Sequence, residues 1–335
     1  MLEGFTKSMG DIRYAIAGSP VKHSLSPLLT ALVCDALGLT RGPVSLHMEL
    51  VDATRISDAL AWGYAGAVPQ PMEWDSTQSP FGKFRTTALL EKAMTSARQI
   101  EEGSPYLTQE HDGSNIPTFN FELDALPTRM FKNEIWMNLT SPLKHQLDSD
   151  AVVCIDQSME YKSINALRWD GKGWWCGGFD GLGVCEVFQH LGFEPNQHVL
   201  GIIGGGGAAR STAAAWAERG GRINSIGGRR ELMNGPWDQA LTDDEANITV
   251  NFEPADVNAE HPNLLNGIYV EMEGPAEERL RQLAQPPYDG RWLLVAQHLA
   301  CWRWLWAPEL ADSLPSLDLL LTRLVEAETT LAEYA

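Results

Sequence analysis

Four consecutive glycines, Gly204 to Gly207, sit between an apolar run, Val199 to Ile203, and a helical pattern, Ala208 to Arg219; a second strand pattern, Arg222 to Ile226, follows. This strand, turn, helix, strand order constrains the fold more than anything else in the chain. Alternating strands and helices require a mostly parallel sheet covered by helices. The turn itself, Gly204-Gly205-Gly206-Gly207-Ala208-Ala209, fits G-x-G-x-x-A. Without side chains there, a pyrophosphate can approach the helix N-terminus, where free amides and the helix dipole favour anions. A tight structural turn would also use glycines, but the position between strand and helix is the one a dinucleotide needs.

The end of the second strand bears on which dinucleotide. Units that bind NAD usually carry Asp or Glu there to accept hydrogen bonds from the ribose hydroxyls. This chain has Gly227-Gly228-Arg229-Arg230, with no carboxylate before Glu231. Two guanidinium groups suit a 2′-phosphate, so Arg229 and Arg230 favour NADP. The competing reading of the pair is a solvated surface in acidic surroundings.

Upstream, Tyr14 to Gly18 reads as a short buried strand, and Pro27 opens a helix to about Leu37 that Ser26 is expected to cap. Val44 to Val51 alternates as a second strand. From Trp62 to Phe119 the chain holds Pro69, Pro71, Pro80, Pro105 and Pro117 and one helical pattern, Thr87 to Ile100, and reads as an insertion carried on the surface. Glu134 to Leu139 is a strand, Gly181 to His190 a linking helix, and Leu317 to Leu331 an amphipathic tail helix.

Composition excludes several function classes. A net charge of −19 leaves no basic stripe for nucleic acid and no attraction to an anionic membrane. The five cysteines lack C-x-x-C spacing, which excludes a metal or disulfide framework and fits a reducing cytoplasm. No run reaches the eighteen apolar residues of a membrane span. The Trp302 to Trp306 run is short and is expected to pack a domain seam. Cys176 and Cys185 read as small core residues, His23 as a positioning residue and His145 as solvent-facing.

Lys144 closes Asn138-Leu139-Thr140-Ser141-Pro142-Leu143-Lys144, a proline-stiffened loop ahead of the glycine turn, and has the character of a proton-transfer group beside a polar substrate. This loop resembles the Asn-Val-Thr-x-Pro-x-Lys signature of the shikimate dehydrogenase family. Other segments resemble that family in the same order. They are His23-Ser24-Leu25-Ser26-Pro27, Ile164-Asn165-Ala166-Leu167, Asp180-Gly181-Leu182-Gly183, the glycine turn with Arg210, and Gly290 to Gln297 followed by Trp302.

The resemblance implies an α/β protein of two domains. Residues 1–180, with the insertion at about 62–119, form the substrate-binding catalytic domain, completed by C-terminal helices at about 306–335. Residues 181–305 form the Rossmann-type NADP-binding domain. The implied reaction is the NADPH-dependent reduction of 3-dehydroshikimate to shikimate, by a monomer or homodimer. By the same resemblance, Ser24 and Ser26 hold the substrate carboxylate, and Thr140, Asn165 and Gln297 bind ring hydroxyls, while Tyr269 faces the substrate. Lys144 and Asp180 form the catalytic pair. The cofactor falls to Gly204, Gly205, Gly206, Gly207, Ala208, Arg229 and Arg230, with Gly267 and Gly290 approaching the nicotinamide through backbone.

Some positions depart from the family pattern. Gly178-Phe179 precede Asp180 where the family has Asn-Thr, and Gly-Gly-Arg-Arg replaces Asn-Arg-Thr. Two alternative readings follow: a paralogue acting on quinate or another polyol acid, and a shikimate-binding regulatory protein without turnover.

Overall fold

The computed structural model describes residues 12–39, 46–64, 87–108, 134–254 and 261–333. It opens with β1 (Ile12–Gly18), whose sequence IRYAIAG is buried on both faces and so calls for a central parallel strand. Helix α1 (Ser26–Ala36) leads to β2 (Leu46–Asp52), and α2 (Ile56–Tyr64) and α3 (Thr87–Arg98) precede β3 (Glu134–Leu139). Both β2 and β3 pair parallel to β1.

Three shorter strands, β4 (Val152–Cys154), β5 (Ala166–Trp169) and β6 (Trp174–Gly177), extend this sheet in the order β2-β1-β3-β5-β6-β4. This sheet is mixed, because β5 runs antiparallel to both β3 and β6. The cause is a tight hairpin. Gly171 takes a positive φ of 93°, and the Asp170 carboxylate accepts the amides of Lys172 and Gly173 at 2.7 and 2.8 Å.

Helix α4 (Asp180–His190) crosses to a second sheet made of β7 (Val199–Ile203), β8 (Arg222–Gly227), β9 (Ile248–Asn251) and β10 (Leu264–Asn266), with α5 (Gly207–Glu218) joining β7 to β8. This sheet is wholly parallel in the order β10-β9-β7-β8. Its β8 edge stops short of a further strand, for Leu241 makes a single bridge to Ile223. Then come α6 (Ala276–Leu283), α7 (Arg291–Cys301), a π-helical turn at Trp302–Trp306 and α8 (Leu317–Ala332). No helix among the described residues is long and apolar enough to cross a membrane.

Two glycines let α4 sit close to its neighbours. A Cβ on Gly181 would lie 2.1 Å from the Ser211 carbonyl oxygen of α5, and one on Gly183 would lie 2.8 Å from the Gln297 amide nitrogen of α7. These contacts join the two sheets through packed helix backbones.

Three local expectations are corrected. Ser26 does not cap α1: it is the first helical residue, Leu25 holds the cap position, and no side chain bonds the free amides from that position. Instead the Ser24 hydroxyl accepts the Ser26 amide at 3.2 Å. Helix α3 is not carried on a surface either. Ala93, Met94 and Ala97 are buried in the main core, and Arg98 pairs with Asp35 of α1 at 2.8 Å. Its alanine and methionine face supplied too little apolar signal to read as core. The tryptophans Trp302 and Trp306 pack on a sheet face rather than a seam: Trp306 stacks on Trp136 of β3 at 5.8 Å and 7°, and its indole N–H donates to the Leu167 carbonyl at 3.0 Å.

His298 on α7 has no exposed surface, and neither ring nitrogen has a hydrogen-bond partner among the described residues. Burial pushes its pKa down to about 3 from the ordinary 6.5. Above pH 6.5 the ring is neutral in folded and unfolded chains alike. Between pH 6.5 and about 3 the unfolded chain binds a proton that the folded chain refuses, so stability falls as pH falls through that window. His298→Phe is therefore expected to flatten the loss of urea midpoint between pH 6.5 and 4. An unchanged slope in the variant would remove His298 from acid unfolding.

Candidate active site

The carboxyl ends of β1 and β3 point the same way because the strands are parallel, so the loops after them share one edge of the sheet. After β1 the chain turns into the Ser24 loop, and after β3 into the Thr140 to Lys144 loop. The two loops are laced together: the Ser19 amide donates to the Ser141 carbonyl at 2.9 Å, and the Thr140 amide to the Ala17 carbonyl at 2.8 Å. Leu143 is fully buried and anchors a short 3-10 turn, Leu143–His145, that fixes Lys144. The Lys144 carbonyl accepts the Ile164 amide at 3.0 Å, which docks the turn beside the strand entering Asn165. His145, in the same turn, is exposed.

Lys144 Nζ lies 2.6 Å from Asp180 Oδ2. Asp180 is 2% exposed and begins α4, where the helix dipole favours an anion. Its second oxygen accepts the Asn165 amide group at 2.9 Å. Asn165 is itself held in place: its carbonyl oxygen accepts the Phe179 amide at 2.8 Å, and its Nδ2 reaches Gln297 Oε1 at 3.3 Å. Three residues far apart in sequence thus orient one lysine. The ammonium end is only partly buried and retains access to the cleft.

Tyr269 has a second task that its sequence position did not reveal. Its hydroxyl donates to the His23 carbonyl at 2.9 Å and accepts the Leu25 amide at 3.3 Å, clasping the Ser24 loop. Burial pushes this phenol well up from its ordinary range, so it stays a neutral donor.

The cleft between these groups is a cavity of about 240 Å³. Lys144, Asp180, Ser24, Ser26, Thr140, Asn165, Tyr269 and Gln297 all line it, and so do Ala208, Gly267 and Gly290. Asn138 also lines it, a motif residue to which sequence alone gave no role. Its side chain takes the Tyr14 hydroxyl at 2.7 Å. Gly204 to Gly207, Arg229 and Arg230 lie beyond the cavity. A larger cavity of about 700 Å³, on the other side of α5, is walled by Asp156, Tyr161, Glu218 and a row of alanines and contains none of these groups. Volume favours that space, whereas convergent polar groups favour the smaller one. Chemistry decides for the smaller.

A nicotinamide dinucleotide fits the turn at one end. The cap position of α5 is Gly206, no side chain occupies the free amides from it, and a Cβ there would meet nothing within 4 Å. Gly207 stands beside Lys144, whose Cβ is 3.4 Å from where a Gly207 Cβ would be, so the helix N-terminus opens next to the Lys144–Asp180 pair. Gly205 faces its own chain instead: a Cβ on it would lie 2.0 Å from the Glu231 carbonyl oxygen. Arg210, in the first turn of α5, donates to the Tyr161 and Lys162 carbonyls at 2.8 and 2.7 Å and so tethers the turn to the first sheet's loops.

The absence of a carboxylate at the end of β8, expected from sequence, is corrected by Glu253. This residue follows β9 and reaches across, accepting the Arg229 amide at 3.2 Å and pairing with the Arg229 guanidinium. The signal for it lay two residues beyond Asn251, at the end of a strand that the sequence pattern did not reveal.

No protein-family model and no curated protein matches the chain. Solved structures do. Shikimate 5-dehydrogenase from Thermus thermophilus in complex with shikimate is 18% identical with a TM-score of 0.55, over 95% of this chain and 99% of that one. The same enzyme in complex with NADP(H) and shikimate gives 18% and 0.52, over 94% and 99%. Mycobacterium tuberculosis shikimate dehydrogenase gives 18% and 0.50, over 93% and 98%. The chain has the two-domain α/β fold of these shikimate dehydrogenases.

Proposed function

We propose that this protein is an NADP-dependent shikimate dehydrogenase, which interconverts 3-dehydroshikimate and shikimate on the route to chorismate and the aromatic amino acids. The observation that carries the reading is the Lys144–Asp180 pair at 2.6 Å in a cleft that also holds Ser24, Ser26, Thr140, Asn165 and Gln297. Those hydroxyls and amides are neutral groups that can donate to a carboxylate and to ring hydroxyls. An apolar ligand would leave the serine and threonine hydroxyls without a ligand partner, at a cost of about 1–3 kcal/mol for each one left unpaired.

The chemistry asks for one proton donor beside a ketone. When bound, a nicotinamide dinucleotide supplies the hydride to the ketone carbon. The Lys144 ammonium donates its proton to the carbonyl oxygen as negative charge develops there, and in the reverse direction the neutral amine takes the proton from the alcohol. Asp180 and Asn165 hold the lysine's direction. Ser24 and Ser26 fix the carboxylate at the far end of the ring, which sets the distance between the reacting carbon and Lys144. Serine at both positions favours shikimate over quinate.

Reduction of NADP followed by its absorbance, with shikimate and separately with quinate, tests the reading. Turnover with shikimate is expected. Turnover with quinate alone would overturn the substrate assignment, and tight shikimate binding without turnover would favour a binding protein.

A further inference from the structure

We propose that Glu253 sets the cofactor preference of this site, by accepting the adenosine-ribose hydroxyls and opposing a 2′-phosphate. The proposal rests on the dinucleotide reading above. In a Rossmann unit the carboxylate that bonds the ribose comes from the end of the strand after the glycine turn. That strand, β8, ends here in Gly227-Gly228-Arg229-Arg230 and has no acid of its own. Glu253 brings one to the same spot from β9, on the far side of β7. Its Oε1 lies 3.1 Å from where a Gly228 Cβ would stand and 3.4 Å from where a Gly204 Cβ would stand. The carboxylate therefore borders both the first glycine of the turn and the tip of β8.

The residue is fixed rather than incidental. Its own amide donates to Asn251 Oδ1 at 2.9 Å, and the preceding Phe252 amide donates to the Ile203 carbonyl at 3.0 Å, which locks the segment onto β7. The Glu253 side chain is 9% exposed, whereas that of its partner Arg229 is 76% exposed. The anion is thus built into the wall, and the cation is the movable member.

Two consequences follow for a nucleotide. A ribose 2′-hydroxyl can donate to Glu253, as it does to the usual acid of an NAD site. A 2′-phosphate meets a fixed negative charge instead, and it must draw Arg229 out of an existing ion pair. Of the two arginines expected to clamp that phosphate, Arg229 is paired with Glu253, whereas Arg230 makes no ion pair among the described residues. The clamp is half neutralised, which narrows the preference for NADP.

Calorimetric titration of the full chain with NADP and with NAD, in the absence of substrate, tests this. Glu253→Gln keeps the shape and removes the charge. It should tighten NADP and weaken NAD, moving the ratio of their dissociation constants by about tenfold to a hundredfold toward NADP. Adding Arg229→Gln to that variant should remove the part of the gain that comes from the freed guanidinium and keep the part that comes from the lost negative charge. An unchanged ratio in Glu253→Gln would overturn the role of Glu253 while leaving the dehydrogenase reading intact. If neither nucleotide binds the unmodified protein, although shikimate does, the dinucleotide reading fails and this proposal with it.

Discussion

Lys144→Met is expected to lower kcat for shikimate oxidation by about 10² to 10⁴-fold, the usual contribution of a positioned general acid or base. NADP affinity should be unchanged, since no part of the phosphate-binding turn depends on the ammonium. Among the described residues the Lys144 ammonium bonds Asp180, at 2.6 Å, and Asp180 keeps its Asn165 bond after the substitution. Stability should therefore fall only modestly, by about 1–3 kcal/mol for a buried acceptor that loses one donor. Lys144→Arg separates charge from proton transfer. A guanidinium keeps the ion pair but cannot release its proton at working pH, so oxidation should stay slow in that variant although the fold is fully restored. A rate in either variant equal to that of the unmodified protein would remove Lys144 from the chemistry.

The sequence carried this site well because its parts are local. Each of Ser24-Leu25-Ser26, Thr140 to Lys144, Asn165, Asp180 and Gln297 lies in a short motif, and the structure brings them to one cavity through strand ends and helix starts. What the sequence did not disclose depends on contacts across the sheet. Glu253 acts at the tip of β8 although it belongs to the segment after β9, and no pattern along the chain links positions 229 and 253. Tyr269 was legible as a pocket residue, but its clasp on the His23 and Leu25 backbone was not, because that clasp joins segments some 240 residues apart. Strand β5 was not read from the sequence for a different reason. A tight hairpin with Asp170 as its hydrogen-bond hub is a local signal, and it was overlooked beside the stronger βαβ pattern downstream. The arginine pair at 229 and 230 was correctly seen as cationic, but its neutralising partner is visible only in space.

The largest stability effect is expected at Arg291, the first residue of α7. Its guanidinium forms a two-pronged pair with Glu328 of α8, Nε at 2.8 Å and Nη2 at 2.9 Å, and its third nitrogen reaches the Val270 carbonyl at 2.7 Å and Asp289 at 2.9 Å. The Arg291 and Glu328 side chains are both buried. Burial opposes the charge, yet Glu328 and Asp289 outweigh it and hold the guanidinium above its ordinary range. Arg291→Met strands the Glu328 carboxylate in the core, which costs about 3–5 kcal/mol, a large share of the roughly 5–15 kcal/mol that holds a domain folded. Replacing both partners, Arg291→Met with Glu328→Leu, removes the stranded charge and should recover most of that loss in a urea titration. Failure of the double variant to recover would mean that Arg291 acts through Val270 and Asp289 instead. The guanidinium also lies over the Tyr269 ring at 5.4 Å, so the segment that clasps the Ser24 loop leans on the same residue. The Arg291 and Lys144 variants should therefore diverge in kind. Loss of Lys144 cuts turnover in a protein whose unfolding midpoint falls less than in the Arg291 variant. Loss of Arg291 lowers the midpoint and raises KM for shikimate, while the folded fraction keeps its kcat because the Lys144–Asp180 pair is untouched.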